Sequence, residues 1–119
     1  MSINSKFRSR LAEAAVEAHR IVIAGTADMS CIKASAATQR LLGTSDELDH
    51  VTGELVDMAA DSVPKVTLGG TVVAGDWLTS DANGRAVATT TTGHQVIGRA
   101  EIAGVANDVI TYVRSLGQL

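Results

Sequence analysis

Residues 69–87 read GGTVVAGDWLTSDANGRAV, and two readings compete for them. Two acids, Asp76 and Asp81, a Thr79-Ser80 pair and the only tryptophan, Trp77, are raw material for a catalytic pocket. They are equally the vocabulary of a β-meander, and the turn chemistry decides. In Asp81-Ala82-Asn83-Gly84 the aspartate holds the first turn position, where its carboxylate accepts a backbone N–H. The glycine holds the fourth, where a positive φ meets no Cβ. Asn-Gly is also a hairpin signal. Gly75-Asp76 reads as the preceding corner, so WLTS (77–80) and RAVAT (85–89) become two arms of a hairpin. Trp77 and Thr79 then share one face, and Leu78 and Ser80 the other. Asp76 and Asp81 fall at opposite ends of a strand, roughly 17 Å apart at ~3.3 Å per residue, too far to act as one acid–base pair.

The same phrasing extends in both directions. RIVIAG (20–25), CIKAS (31–35), RLLGTS (40–45), ELVDMA (54–59), KVTL (65–68), TVVA (71–74), QVIGRAEIAG (95–104) and DVITYVRS (108–115) are short runs rich in β-formers. Gly69-Gly70, Gly93, Gly104 and Asn107-Asp108 punctuate them. Short runs with turn signals every few residues predict a mainly β fold, a small barrel or sandwich of short antiparallel strands. A faint echo runs through the chain. DMSCIKA (28–34), LLG (41–43) and GELVDM (53–58) are followed 53 to 55 residues later by DANGRAV (81–87), VIG (96–98) and NDVITYV (107–113). Two similar β units and the chance likeness of short strands both account for it.

The N-terminal stretch reads two ways. Ala, Leu, Glu and Arg predict a short helix over roughly 9–19 for the segment by itself, with an extended arm as the alternative. Ala12, Ala14, Val16 and Ala18 alternating with Glu13, Glu17 and His19 also suit an extended arm. The expected organisation is a basic arm with a possible short helix at 1–18 and a β-rich domain at 19–119.

Composition narrows the function. Apolar residues make up 45% of the 119 residues but aromatics only 3%, namely Phe7, Trp77 and Tyr112. Large side chains normally dominate core energetics, so this thin core would gain from burial against copies of itself or a partner. The net charge of −3 argues against nucleic-acid binding, which leaves a basic footprint. Lys6, Arg8 and Arg10 are three cations among ten residues without an acid, which leaves −6 on residues 11–119. A basic arm on an acidic body suits docking to an acidic surface, or is simply a solvated tail. One cysteine, Cys31, allows neither an intramolecular disulfide nor a cysteine metal site. No apolar run reaches the length of a membrane span, and Glu13 and Glu17 interrupt any signal-peptide core. The expectation is a soluble protein made in the cytoplasm.

Catalytic signatures do not emerge. His19, His50 and His94 form no H-x-H or H-x-x-x-H pair, there is no G-x-S-x-G elbow, and no glycine run makes a phosphate cradle. No catalytic residue, metal or cofactor is expected. The aromatics are the better surface clue. Trp77 beside a polar corner either closes the core or anchors a partner, and Phe7 between Lys6 and Arg8 suits a docking segment. Lys6, Phe7, Arg8, Arg10 and Trp77 are therefore the expected contact residues.

HRIVIAGTADMSCIKASAATQRLLGTSD, the GELVDM strand, VTLGGTVVAGDWLTSDANGRAVATT and HQVIGRAEIAGVANDVITYVRS, taken in order over residues 19–115, resemble tailed-phage head decoration proteins, also called capsid cement proteins. The resemblance implies a β-rich protein that is not an enzyme. It would bind the outer surface of the assembled head, partner the major capsid protein and stabilise the shell, with a homotrimer at three-fold positions. Two other readings stay open at this level: a phage tail or baseplate β module with the same turn phrasing, and a small hydrolase whose site forms between subunits.

Overall fold

The computed structural model describes residues 7–59 and 64–119, the side chains of Phe7, Arg8 and Ala59 excepted. Ten strands follow one another, and no helix occurs among the described residues. They are β1 (Phe7–Ala12), β2 (Ile21–Ala24), β3 (Ser30–Lys33), β4 (Gly43–Thr44), β5 (Leu55–Ala59), β6 (Lys65–Thr67), β7 (Trp77–Ser80), β8 (Ala86–Ala88), β9 (Gln95–Ala100) and β10 (Val109–Gln118). They form two five-stranded sheets, ordered β4-β2-β3-β1-β5 and β6-β10-β9-β7-β8.

Each sheet curls until its edges touch. The Ser45–Met58 bridge joins the β4 and β5 edges of the first, and the Leu68–Ala86 bridge joins the β6 and β8 edges of the second. Followed around, the rings are the same five strands in the same order, sealed by a weak bridge at different places. Pairing is antiparallel except between β1 and β3, and at the Leu68–Ala86 bridge.

The registers establish the internal repeat. Ile21 pairs with Thr44 and Val22 with Gly43; Trp77 pairs with Arg99 and Leu78 with Gly98. Val22–Lys33 and Ala24–Cys31 are matched by Leu78–Ala88 and Ser80–Ala86. The Val16–His50 bridge is matched by Val72–Gly104, and Ser45–Met58 by Ala100–Tyr112. The spacing is 56 from Ile21 to Trp77, 55 from Gly43 to Gly98 and 54 from Met58 to Tyr112. The echo in the sequence is thus two β units, although DMSCIKA aligns two residues further along than its turn suggested: Cys31 corresponds to Ala86.

The interiors correspond as well. Ala12, Val16, Val22, Cys31, Val56 and Met58 fill the first unit; Leu68, Val72, Leu78, Ala86, Ile110 and Tyr112 stand at the equivalent positions in the second. The second core is larger in side-chain volume, and it also takes in Ile21, Ala34 and Leu41 from the first unit. One apolar seam therefore joins the units.

No helix forms over residues 9–19: 9–12 belong to β1, Val16 bridges to His50, and the chain turns at 18–19, where His19 takes φ 54°. β1 lies between β3 and β5, pairing with β5 from Phe7–Ala59 to Leu11–Leu55. A helix of about ten residues is marginal alone in water, and a ladder on both sides outweighs propensity. TVVA is not a strand either. Only Val72 bridges, because the chain turns again at Gly75, whose φ is 91°. RLLGTS contributes only Gly43-Thr44.

Candidate contact surfaces

The polar residues of the opening stretch hold corners. Asp76 Oδ2 accepts from Val73 N at 2.9 Å. Asp81 Oδ1 accepts from Asn83 N and Arg85 N, and its Oδ2 from Arg85 Nε, while Gly84 takes φ 73°. The first unit fixes its equivalent turn differently. Glu13 accepts from Thr26 N at 3.0 Å, Ala27 N at 2.8 Å and Ser30 Oγ at 2.7 Å. The Thr26 and Ala27 amides lead in holding the Glu13 carboxyl down at about 2. That clamp fixes the 26–30 turn, where Met29 is left-handed at φ 58°.

The titratable groups are dispersed. His50 Nε2 lies 2.9 Å from Asp46 Oδ1 and its Nδ1 lies 3.5 Å from Glu54 Oε1. The two acids thus grip opposite sides of the ring instead of converging on one ion. Thr89 Oγ1 meets His94 Nδ1 at 2.7 Å. Burial pushes the His19 imidazole down and the Cys31 thiol up, so Cys31 is a core residue with little thiolate. Among the described residues no group of His, Cys, Asp and Glu is arranged to hold a metal.

The structure separates the expected contact residues. Lys6 lies outside the described residues; Phe7 and Arg8 open β1, where only their backbone is described. Arg10 is half-buried and donates from Nη1 to the Ser30 carbonyl at 3.0 Å, tying β1 to β3. Trp77 is half-buried at the mouth of a groove of about 430 Å³ shared with Asp76, Ala88, Thr89, Thr90 and Arg99. The Arg99 guanidinium lies 4.5 Å from the Trp77 ring centroid, a cation–π stack. Arg99 was invisible as a partner in the sequence, since only the Trp77–Arg99 register brings them together. The strand faces also differ from simple alternation: Leu78, Thr79 and Ser80 are all buried. Tyr112 is fully buried, and its hydroxyl meets Thr44 Oγ1 across the seam at 3.0 Å.

Sequence reasoning also missed a repeated set of exposed aliphatic side chains. Leu48, Val51 and Leu55 in the first unit are exposed, and so are Ile102, Val105 and Val109, each 54 residues later. Isolated exposed aliphatics are ordinary, but the same three positions in both units form a repeated feature.

The comparisons agree with this architecture. The sequence profile described as phage cement protein matches residues 8–115. The crystal structure of the N base of the head fiber protein gp8.5 from bacteriophage phi29 superposes with a TM-score of 0.73. It is 24% identical, over 95% of this chain and 96% of that one, and shares the fold. No curated protein sequence matches. With the profile spanning both β units, the chain belongs to the phage cement protein family.

Proposed function

We propose that this cement protein, a decoration component of the phage head, binds the outer surface of the shell as a homotrimer at three-fold positions, with the major capsid protein as its partner. It is made in the host cytoplasm and joins the assembled head. The observation that carries the reading is the set of exposed aliphatic side chains that recurs at equivalent positions in both units, Leu48, Val51 and Leu55 and again Ile102, Val105 and Val109. A shell offers one site many times, so modest contacts suffice once three chains are linked. A three-fold oligomer matches a three-fold site without leaving contacts unused. Lys6, Phe7, Arg8, Arg10 and Trp77 are further contact candidates. No catalysis is assigned, since Glu13 accepts turn amides on both oxygens, Asp81 accepts turn amides on Oδ1 and Arg85 Nε on Oδ2, and Asp76 Oδ2 accepts from Val73 N.

Mixing purified protein with undecorated heads tests this. Saturable binding is expected, and Val51→Asp with Val105→Asp should weaken it at least tenfold while the free protein stays folded. Lys6→Glu is the right probe of the basic arm, because removing residues 1–10 would delete most of β1. Failure of the wild-type chain to saturate heads refutes the reading.

A further inference from the structure

The seam between the units and the open Trp77 groove are the same surface, used once and left free once. Toward the second unit, the first presents His19, Arg20, Ile21, Lys33 and Thr44. The His19 carbonyl accepts from Thr67 N at 2.8 Å, and Ile21 N donates to the Gly84 carbonyl at 2.7 Å. Arg20 Nη1 donates to the Asn83 carbonyl at 3.1 Å, and the Lys33 stem packs over Gly84. The registers carry these five positions onto Gly75, Asp76, Trp77, Ala88 and Arg99 of the second unit, all of which line the groove. The groove is a socket of the kind that already holds one β unit.

The piece that fills the seam has its own free counterpart. Thr67, Asn83 and Gly84 correspond to Leu11, Asp28 and Met29. Leu11 is 46% exposed and Met29 63% exposed, so this end of the first unit is an apolar knob left uncovered by the described residues. Gly84 and Met29 share the left-handed conformation, at φ 73° and 58°. The sizes are complementary across the two sets. In the seam a long side chain, Lys33, lies over a glycine, Gly84; a Cβ there would come within 2.5 Å of Lys33 Cγ. At the free ends the long side chain has changed sides, with Met29 on the knob and Ala88 in the socket.

We propose that the Trp77 groove receives the Leu11–Met29 end of a second copy of this chain, head to tail. This deepens the homotrimer reading above and rests on it. A three-fold ring needs two different faces on every subunit, one to give and one to accept, and this chain carries such a pair at its two units. Met29 enters beside Ala88 and Trp77. Asp28 and Asp76 take the places of Asn83 and Arg20, and Arg99, stacked on Trp77, is the cation that offsets both acids. The Glu13 clamp holds the Met29 turn in shape before contact, which lowers the ordering cost of association.

The full chain with Met29→Cys and Ala88→Cys tests this under mild oxidation. Both positions are exposed and the native Cys31 is buried, so each single variant has one reactive thiol and can reach only a covalent dimer. The double variant should run beyond dimer on a non-reducing gel, with trimer as the terminal species. In sedimentation, Arg99→Glu and Met29→Asp should each weaken wild-type association at least tenfold. Trp77 emission should move to shorter wavelength as the wild type associates. A double variant that stops at dimer, or an oligomer indifferent to both charge changes, overturns the proposal. On heads the two readings part: saturated binding without cross-linked trimer refutes the socket and leaves decoration standing. A cross-linked ring that ignores heads supports the socket and refutes shell binding.

Discussion

Replacing Tyr112 by Phe removes one oxygen from the middle of the molecule. That oxygen lies 3.0 Å from Thr44 Oγ1, and both residues are fully buried where the two units meet. The ring still fills its space, so the change isolates the hydrogen bond from the packing. Leaving a buried hydroxyl without a partner costs about 1–3 kcal/mol, whereas replacing both partners by apolar groups of similar shape is close to neutral. Tyr112→Phe and Thr44→Val should therefore each destabilise by about 1–2 kcal/mol, and the double variant by less than their sum by at least about 1 kcal/mol. In thermal melts a loss of 1 kcal/mol corresponds to about 4 °C for a chain of 119 residues. Urea unfolding followed by far-UV circular dichroism and by Trp77 fluorescence supplies the four corners of the cycle. Trp77 reports the second unit and dichroism reports both, so coincident curves also test whether the seam makes the units unfold together. A pH arm gives a second reading. Burial pushes the Tyr112 hydroxyl up to about 12. The folded state thus resists ionisation, and the wild type loses stability as pH rises from the ordinary tyrosine value near 10 towards 12. Tyr112→Phe lacks that loss. Additive single effects, or an unchanged alkaline slope, would refute the role given to this pair.

Gly98 lies in β9 opposite Arg114 of β10 at φ 151°, and a Cβ there would fall on the Val113 carbonyl oxygen. Gly98→Ala should cost about 3 kcal/mol or more and abolish a cooperative melt near the wild-type temperature, while Gly117→Ala, with open space around it, should stay within about 0.5 kcal/mol. Glu13 has its carboxyl held down, so its contribution is present at neutral pH and is lost as pH falls through the ordinary carboxylate range towards about 2. Glu13→Gln should be less stable than wild type at pH 7, with the gap closing in acid; a gap independent of pH would show that the turn amides do not favour the charged form.

The strand-and-turn character was legible because turns and short strands are local. Asp81-Ala82-Asn83-Gly84 needs no tertiary partner to be a corner, and an Asp five residues from another along a strand cannot be its catalytic mate. The proposed contact sites were less so. Trp77 stood out by rarity, but Arg99, Leu11 and Met29 did not, since nothing near them in sequence distinguishes a free surface from a core.

The sequence alone determined a β-rich chain without catalytic spacing, whose turns carry their own acids and glycines, and it carried the phrasing of the cement proteins. Only the tertiary structure decided that residues 7–12 are a strand, because a segment of helix-forming residues yields to ladders on both sides. Only it decided that the echo is a true repeat. Core positions such as Ala12 and Leu68, or Met58 and Tyr112, share a place in the ring but not a side chain or a size, since strand register fixes which positions point inward while each interior is filled by its own set of side chains.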